Sequence, residues 1–500
     1  MHYTVIRRKS AQRLINFHMQ LRVIGLLLLI EAAFMIAPLI VGWYYGELTD
    51  IKAMGMAVSM TLIVGLLLIF GQKPTSSHMG KRDGFLLTAL VWIVFSLFGM
   101  VPFIAGTSHL SVSDAFFEAM SGFTTTGATV IDPSLTHSHT LNLWRCLSQW
   151  IGGMGIILFT LALLPMFNSA GGVQMFNAEV TGITHDRLRP RVSSTAKQLW
   201  LIYILLTLIL AFLLYLGPMS MFESICHALS TMSTGGFSTS PASISDWNTP
   251  YVKITLTIFM FIGGMNFALL YRACTQGPRA LASNHIFKCY LRVILTVTVI
   301  FIICLIFGSH ESSLLTLAID PLFQTVSVIT STGYTVDNLS SWGFLVIAVI
   351  LLLMFTGGCA GSTSGGAKLD RIIVLGKLLK SELYRCTHPN TIRPVVIDRK
   401  VVPSALVVKV ASFLCLFVLL IVFGGISLAA MGVSVPEAFF SALSCVGNTG
   451  LDSGVAGIGE TDFSIIPDAG KWLLSLLMLT GRLEIFTVLI LFMPSFWQRS

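Results

Sequence analysis

Charge is scarce in this sequence. Only 11% of its 500 residues are Asp, Glu, Lys or Arg, while 54% are hydrophobic. Soluble domains average about 25% charged residues. A soluble chain of this length would lack the charge to cover its surface, so lipid must cover much of it. The nine cysteines have no paired spacing, which argues against a disulfide framework. Cys304 and Cys415 lie inside apolar runs, where Cys behaves as a small hydrophobe. There is no Gly-x-x-x-x-Gly-Lys-Ser/Thr segment for nucleotide hydrolysis. No nucleophile–base constellation is present, so the chain is not read as an enzyme. His137 and His139 have no cysteine or acid partner nearby, and no transition-metal site is expected.

What the chain has is long apolar runs. Leu21–Tyr44, Met54–Phe70, Phe85–Ile104, Leu199–Leu216 and Val401–Met431 each approach or exceed the roughly 20 residues that cross a bilayer. The first follows Arg7, Arg8, Lys9 and Arg13, is too long for a signal-peptide core, and is read as a retained span. The net charge of +8 is clustered at Arg7–Arg22, Lys73–Arg82, Arg187–Lys197, Arg272–Arg292 and Lys368–Lys400. The alternate segments Ala105–Ser113, Thr129–Asn142, Gly308–Asp320 and Gly450–Gly470 contain no Lys or Arg. This is the positive-inside pattern; it puts both termini in the cytoplasm and argues against nucleic acid as a partner.

Two spans, near 22–44 and 53–71, form a hairpin, and the chain then repeats itself. Ser113–Val130 and Pro436–Ser453 align without a gap: Phe116-Phe117 falls on Phe439-Phe440, Asp114 on Glu437 and Thr126-Gly127 on Thr449-Gly450. In Asp320–Asp337 the acid again lies thirteen residues before a glycine. Phe222–Thr239 fits with about three extra residues when matched on its phenylalanine. Each apolar stretch before the turn is about ten residues, too short to cross and long enough for a re-entrant half-helix. The expected fold is therefore all-α and integral to the membrane. Four pseudo-repeated helix–pore-loop–helix units surround a central pore, preceded by the hairpin. The divisions expected are 1–72, 73–183, 184–284, 285–400 and 401–500.

The four turns are Thr125-Thr126-Gly127, Ser233-Thr234-Gly235, Ser331-Thr332-Gly333 and Asn448-Thr449-Gly450. Irregular backbone at membrane depth is tolerated only where it is buried or lines a water-filled cavity. Glycine reaches positive φ without steric cost, so successive carbonyls can point one way. Four such segments around an axis make rings of oxygen that replace a cation's hydration shell. The half-helices would aim their partly negative C-terminal ends at that axis. No carboxylate lies inside the Thr-Gly elements; Asp452 is placed at the mouth. This suits K+ or a similar monovalent ion held by backbone carbonyls, with no organic or covalent cofactor.

Glycine also recurs beyond each turn, at Gly152-Gly153, Gly263-Gly264 and Gly357-Gly358, with Gly481-Arg482 in the same place in the fourth unit. Close helix packing alone accounts for such small residues. The third unit goes further: Gly357-Gly358-Cys359-Ala360-Gly361-Ser362, continuing to Gly366, has five glycines in ten residues and cannot hold a helix. It reads either as a flexible cytoplasmic linker or as an intramembrane loop across the pathway. This is the one clearly broken helix expected. Arg482 sits in an otherwise apolar span, where an Arg normally faces the bundle interior. There it would repel a cation and donate to loop carbonyls such as those of Gly357–Gly361, or be satisfied for structural reasons alone. Glu484, about 200° around the helix, is not expected to pair with it. His227 is assigned to packing.

The turns Thr125–Thr129, Ser233–Phe237 and Ser331–Thr335, with the glycine-rich break and the Gly481-Arg482-Leu483-Glu484 segment, resemble the Trk/Ktr potassium-transport family. The similarity runs from about residue 20 to the C-terminus, and the extra hairpin is more like the Trk membrane subunit. The fourth turn departs from the pattern, with Leu451-Asp452 after its glycine. The resemblance implies potassium uptake across a bacterial inner membrane, K+ ions in the filter, and a loop gate linked to Arg482. It also implies a homodimer on a cytosolic regulatory ring (TrkA-type) that alone binds nucleotide. Thr184–Lys197 and Lys377–Lys400 are docking candidates, or contacts for anionic lipid. A cation-coupled potassium symporter remains the alternative function.

Overall fold

The computed structural model describes residues 15–72, 80–131, 138–153, 155, 192–308, 313–337, 339–391, 393–398, 400–454, 457–458 and 462–498. His137, the far half of the first unit's second span and most of the docking candidate Thr184–Lys197 lie outside them. The regular secondary structure among the described residues is helical, apart from a two-residue antiparallel pairing of Val396–Ile397 with Lys400–Val401.

The chain opens with a hairpin of two long helices, Phe17–Tyr45 and Leu48–Phe70. The first begins five residues earlier than hydropathy alone places it, because Asn16 caps it by accepting from the Met19 N–H. The helices touch where Gly25 faces Gly65, and a β-carbon at Gly25 would collide with the Gly65 carbonyl. The hairpin's tip is pinned to the first unit through Glu47. Its carboxylate accepts from the His139 N–H at 2.7 Å, the Thr140 N–H at 2.9 Å and the Thr140 hydroxyl at 2.6 Å. Burial alone would raise this carboxyl's pKa, but these bonds and the His139 ring hold it below its ordinary value.

Among the described residues six helices are long and apolar enough to cross a membrane, or up to eight when each sharply bent pair counts as one span. Their outer faces expose Leu201, Leu208, Phe212, Leu295, Val299, Ile306 and Phe423, as lipid contact requires.

The four half-helices are Val112–Phe123, Met221–Met232, Leu314–Ile329 and Val435–Val446. Each is preceded by a serine at the N-cap: Ser111, Ser220, Ser313 and Ser434. The repeated acid is therefore the third helical residue, Asp114 or Glu223, whose N–H donates to the cap serine in the first two units. The unit that carries extra residues is the third rather than the second. Its half-helix has 16 residues against 12 in each of the others, about one additional turn.

The second helices are His139–Gly153, Pro250–Gly263, Phe344–Thr356 and Asp468–Arg482. Broken helices prove more common than the single one expected. The second unit's helix bends by 101° after Gly263 and the fourth's by 113° after Arg482. The third gives way to the glycine-rich loop. The glycines are needed for close approach: a β-carbon at Gly152 would collide with the Phe123 carbonyl, and one at Gly481 with the Val446 carbonyl. Each second helix also packs on the next unit's half-helix, and Asp468–Arg482 packs on Val112–Phe123, which closes the circle. On that closing seam Lys471 pairs with Asp114, and at the matching place between units two and three Lys253 pairs with Asp320.

Candidate functional site

The site lies where the four half-helices end. Each ends on a residue in left-handed backbone: Thr125, Thr234, Ser331 and Asn448, with φ of 55°, 54°, 53° and 50°. Such φ is an outlier for β-branched threonine and costs roughly 1–2 kcal/mol. The next residue's N–H returns to a serine carbonyl in every unit: Thr126 to Ser121, Gly235 to Ser230, Thr332 to Ser327 and Thr449 to Ser444, all at 2.9 Å. This is a Schellman ending without glycine at its left-handed position. The glycines come two residues after the strained ones. Gly127, Gly236, Gly333 and Gly450 have φ of 85°, 81°, 80° and 71°.

That register corrects the second turn. Thr234-Gly235-Gly236, not Ser233-Thr234-Gly235, is equivalent to Thr125-Thr126-Gly127, and Ser233 occupies the place of Thr124. No insertion is needed in this unit. The sequence held the signal: Ser121, Ser230, Ser327 and Ser444 all lie six residues before the positive-φ glycine.

The four turns meet around one axis. A β-carbon on Gly127 would collide with the carbonyl oxygen of Gly235, and one on Gly236 with that of Thr332. One on Gly333 would strike the Thr449 carbonyl, and one on Gly450 the Thr126 carbonyl. The contacts run through all four units and return to the first. Every turn residue here is buried apart from the glycines' partial exposure. Outer hydrogen bonds hold the strands from behind: the Ser327 hydroxyl donates to the Tyr334 carbonyl and the Ser444 hydroxyl to that of Leu451, both at 2.7 Å. Asn448 Nδ2 donates to Thr126 Oγ1 at 2.9 Å, tying the fourth turn to the first. The Phe237 carbonyl accepts from the Tyr334 hydroxyl at 3.3 Å.

The glycine-rich loop lies against the ends of these half-helices. Gly357, Gly358, Cys359, Ala360, Gly361 and Ser362 lead from Phe344–Thr356 towards the helix Leu369–Thr387. The Cys359 N–H donates to the Gly264 carbonyl at 3.0 Å, and the Gly361 carbonyl accepts from the Phe267 N–H at 3.0 Å. The Gly365 N–H donates to Ser331 Oγ at 2.5 Å and the Gly366 N–H to the Gly447 carbonyl at 2.8 Å. Thr363 Oγ1 donates to the Met232 carbonyl at 3.3 Å and accepts from Thr234 Oγ1 at 3.2 Å. Its backbone bonds are thus made to the bundle, and it is not a free linker.

Arg482 reaches this loop, but at a different residue from those expected. Its guanidinium donates to the Thr363 carbonyl at 2.7 Å and to the Gly152 carbonyl at 2.9 Å. It therefore bridges the third unit's loop and the first unit's second helix. Glu484 pairs with Arg371 at 2.6 Å, but it lies past the helix end at Arg482 with φ of 58°, so the helical angle expected between the two does not apply. His227 is packed against Trp247 and Tyr334, with Nδ1 at 2.8 Å from the Glu223 carbonyl. Two features escaped the sequence reading. Arg145 and Glu118 form a buried pair at 2.7 Å behind the first turn, and Gln149 contacts the second turn directly.

Comparison with known proteins places these features in context. A family model described as "TrkH: Cation transport protein" matches residues 51–499. The chain is 35% identical over 486 residues to the Trk system potassium uptake protein TrkH of Salmonella typhimurium, covering 97% of this chain and all of that protein. It is 32% identical to the Trk system potassium uptake protein TrkG of Escherichia coli K12, covering 95% of this chain and 97% of that one. The crystal structure of the potassium transporter TrkH from Vibrio parahaemolyticus matches with a TM-score of 0.86 at 32% identity, over 97% of this chain and 100% of that one.

Proposed function

Because this chain belongs to the TrkH family of cation transport proteins, we propose that it is the membrane subunit of a Trk potassium uptake system, passing K+ through the ring of four turns. The observation that carries this reading is the closed circle of collisions, in which each positive-φ glycine abuts a carbonyl of the next unit. Side chains are excluded at those four places, so backbone oxygen is what a passing ion meets. Thr126, Gly235, Thr332 and Thr449 supply one level of carbonyls, and no carboxylate lies among the turn residues. Neutral oxygens in that number suit a monovalent cation.

The loop from Gly357 to Gly366 is the gate in this reading, and Arg482 is its latch. The guanidinium holds the Thr363 and Gly152 carbonyls together, and its charge opposes a cation below the filter. The family resemblance supports a homodimer in the bacterial inner membrane, and the clustering of basic residues supports both termini being cytoplasmic. A cytosolic nucleotide-binding subunit would dock on Lys377–Lys400, where Lys380, Arg385 and Arg393 are exposed beside Leu379 and Leu383.

The test is flux in proteoliposomes holding the full chain, measured with K+, Rb+, Na+ and Li+. Uptake of K+ and Rb+ down their own gradients, with Na+ and Li+ slower, supports a selective conducting pathway. Movement of K+ only when a Na+ or H+ gradient is imposed would replace that reading with coupled symport.

A further inference from the structure

The four units share a second register beyond the turns. The residue three places before the recurrent glycine of each second helix (Gly152, Gly263, Gly357 and Gly481) is Gln149, Met260, Met354 and Met478 in units one to four. All four are fully buried. The residue immediately before the positive-φ glycine is Thr126, Gly235, Thr332 and Thr449. Each register has one exception, and the two exceptions touch. Gln149, from the first unit's second helix, lies against Gly235 of the neighbouring turn.

Three hydrogen bonds make the contact. Gln149 Nε2 donates to the Gly235 carbonyl at 2.7 Å. Gln149 Oε1 accepts from the Ser230 hydroxyl at 2.7 Å and the Phe237 N–H at 3.2 Å. A backbone N–H can only donate, so Oε1 must face Phe237, and this fixes Nε2 on the carbonyl. Sterics give the same pairing. A β-carbon at residue 235 would fall inside 3.0 Å of Cδ, Oε1 and Nε2 of Gln149. Gly235 is not among the positive-φ glycines, so its backbone does not itself demand glycine. The amide occupies the space that a threonine would need.

We propose that Gln149 is a positioning and specificity-determining residue of the filter. It takes one of four equivalent ring carbonyls, that of Gly235, into an amide hydrogen bond, leaving three free ligands and one fixed, weaker one. This rests on the filter reading above. A carbonyl that already accepts an N–H presents less negative potential to an ion and cannot swing inward to follow a smaller one. Both effects reduce what the site returns to a strongly hydrated ion more than what it returns to a weakly hydrated one. The asymmetry thus favours K+ and Rb+ over Na+ and Li+.

The test compares full-length wild type, Gln149→Met, Gly235→Thr and the double variant in proteoliposomes, with the ratio of K+ to Na+ flux as readout. A ratio is insensitive to how much protein is active. Gln149→Met is expected to lower it about fivefold, which corresponds to about 1 kcal/mol, the scale of one neutral hydrogen bond. Gly235→Thr alone is expected to lose transport, and the double variant to regain it with the lowered ratio. If Gln149→Met does not assemble, the double variant, which lacks the same amide, reports the ratio instead. Gly333→Ser is run alongside. A wild-type ratio in the Gln149 variants with an altered ratio in Gly333→Ser overturns this inference and leaves the filter reading standing. Unchanged ratios in all of them overturn both. A double variant no better than Gly235→Thr overturns the pairing of the two residues.

Discussion

Gly333→Ser isolates the central claim about the ring. Two costs follow from the geometry. The first is local: Gly333 has φ of +80°, where an L side chain is strained by about 1–2 kcal/mol. The second is specific to the ring. A β-carbon at Gly333 would lie inside 3.0 Å of the Thr449 carbonyl oxygen, whereas carbon–oxygen contacts normally settle near about 3.3–3.6 Å. The oxygen belongs to a backbone held by the Thr449–Ser444 hydrogen bond, so reaching that spacing requires the ring to open by about 1 Å. Gly343 separates the two costs. Its φ is +97°, yet nothing lies within 4 Å of a β-carbon placed there. Gly343→Ser therefore carries the backbone strain without the collision. Both variants should lose thermal stability in detergent, Gly333→Ser the more because it carries the collision as well as the strain. Only Gly333→Ser should lower the K+ to Na+ flux ratio, by tenfold or more, equivalent to at least about 1.4 kcal/mol of discrimination. The assay is ion flux in proteoliposomes with protein that elutes as wild type does. An unchanged ratio in folded Gly333→Ser, or an equal fall in Gly343→Ser, would refute the argument that the closed ring sets selectivity.

Two further outcomes are expected. Arg482→Ala removes the bridge between the Thr363 and Gly152 carbonyls along with a cation beside the four turns, and should raise basal K+ flux if the proposed latch holds the pathway shut. Flux equal to or below wild type would sink the latch. At the hairpin tip, Glu47 has a lowered carboxyl pKa, so its stabilisation is present above the unfolded value and is lost as pH falls through the folded one. Glu47→Gln should flatten the acid limb of melting temperature against pH, and an unchanged acid limb would show that the clamp contributes nothing.

Composition was enough to place the chain in a membrane, because a surface this poor in charge has no other solvent. Four apolar stretches too short to cross, each followed by a threonine- or glycine-rich turn, were legible as half-helices because their length and register repeat. Hydropathy could not find the serine caps, which contribute through a hydrogen bond rather than through apolarity. Matching on Thr-Gly also misplaced the second turn by one residue. Thr-Gly was the visible match, but backbone conformation is set by the serine carbonyl six residues before the glycine, not by side-chain identity.

Sequence by itself determined the membrane setting, the hairpin, the four-unit repeat and the presence of an arginine where glycine is the rule. Those features are local: they depend on runs, periods and substitutions along one chain. Tertiary structure alone decided what each exception touches. Arg482 meets Thr363 and Gly152, and Gln149 meets Gly235, across separations of 119, 330 and 86 residues. Such contacts depend on how four similar units close around an axis, and no spacing within a single unit encodes that closure.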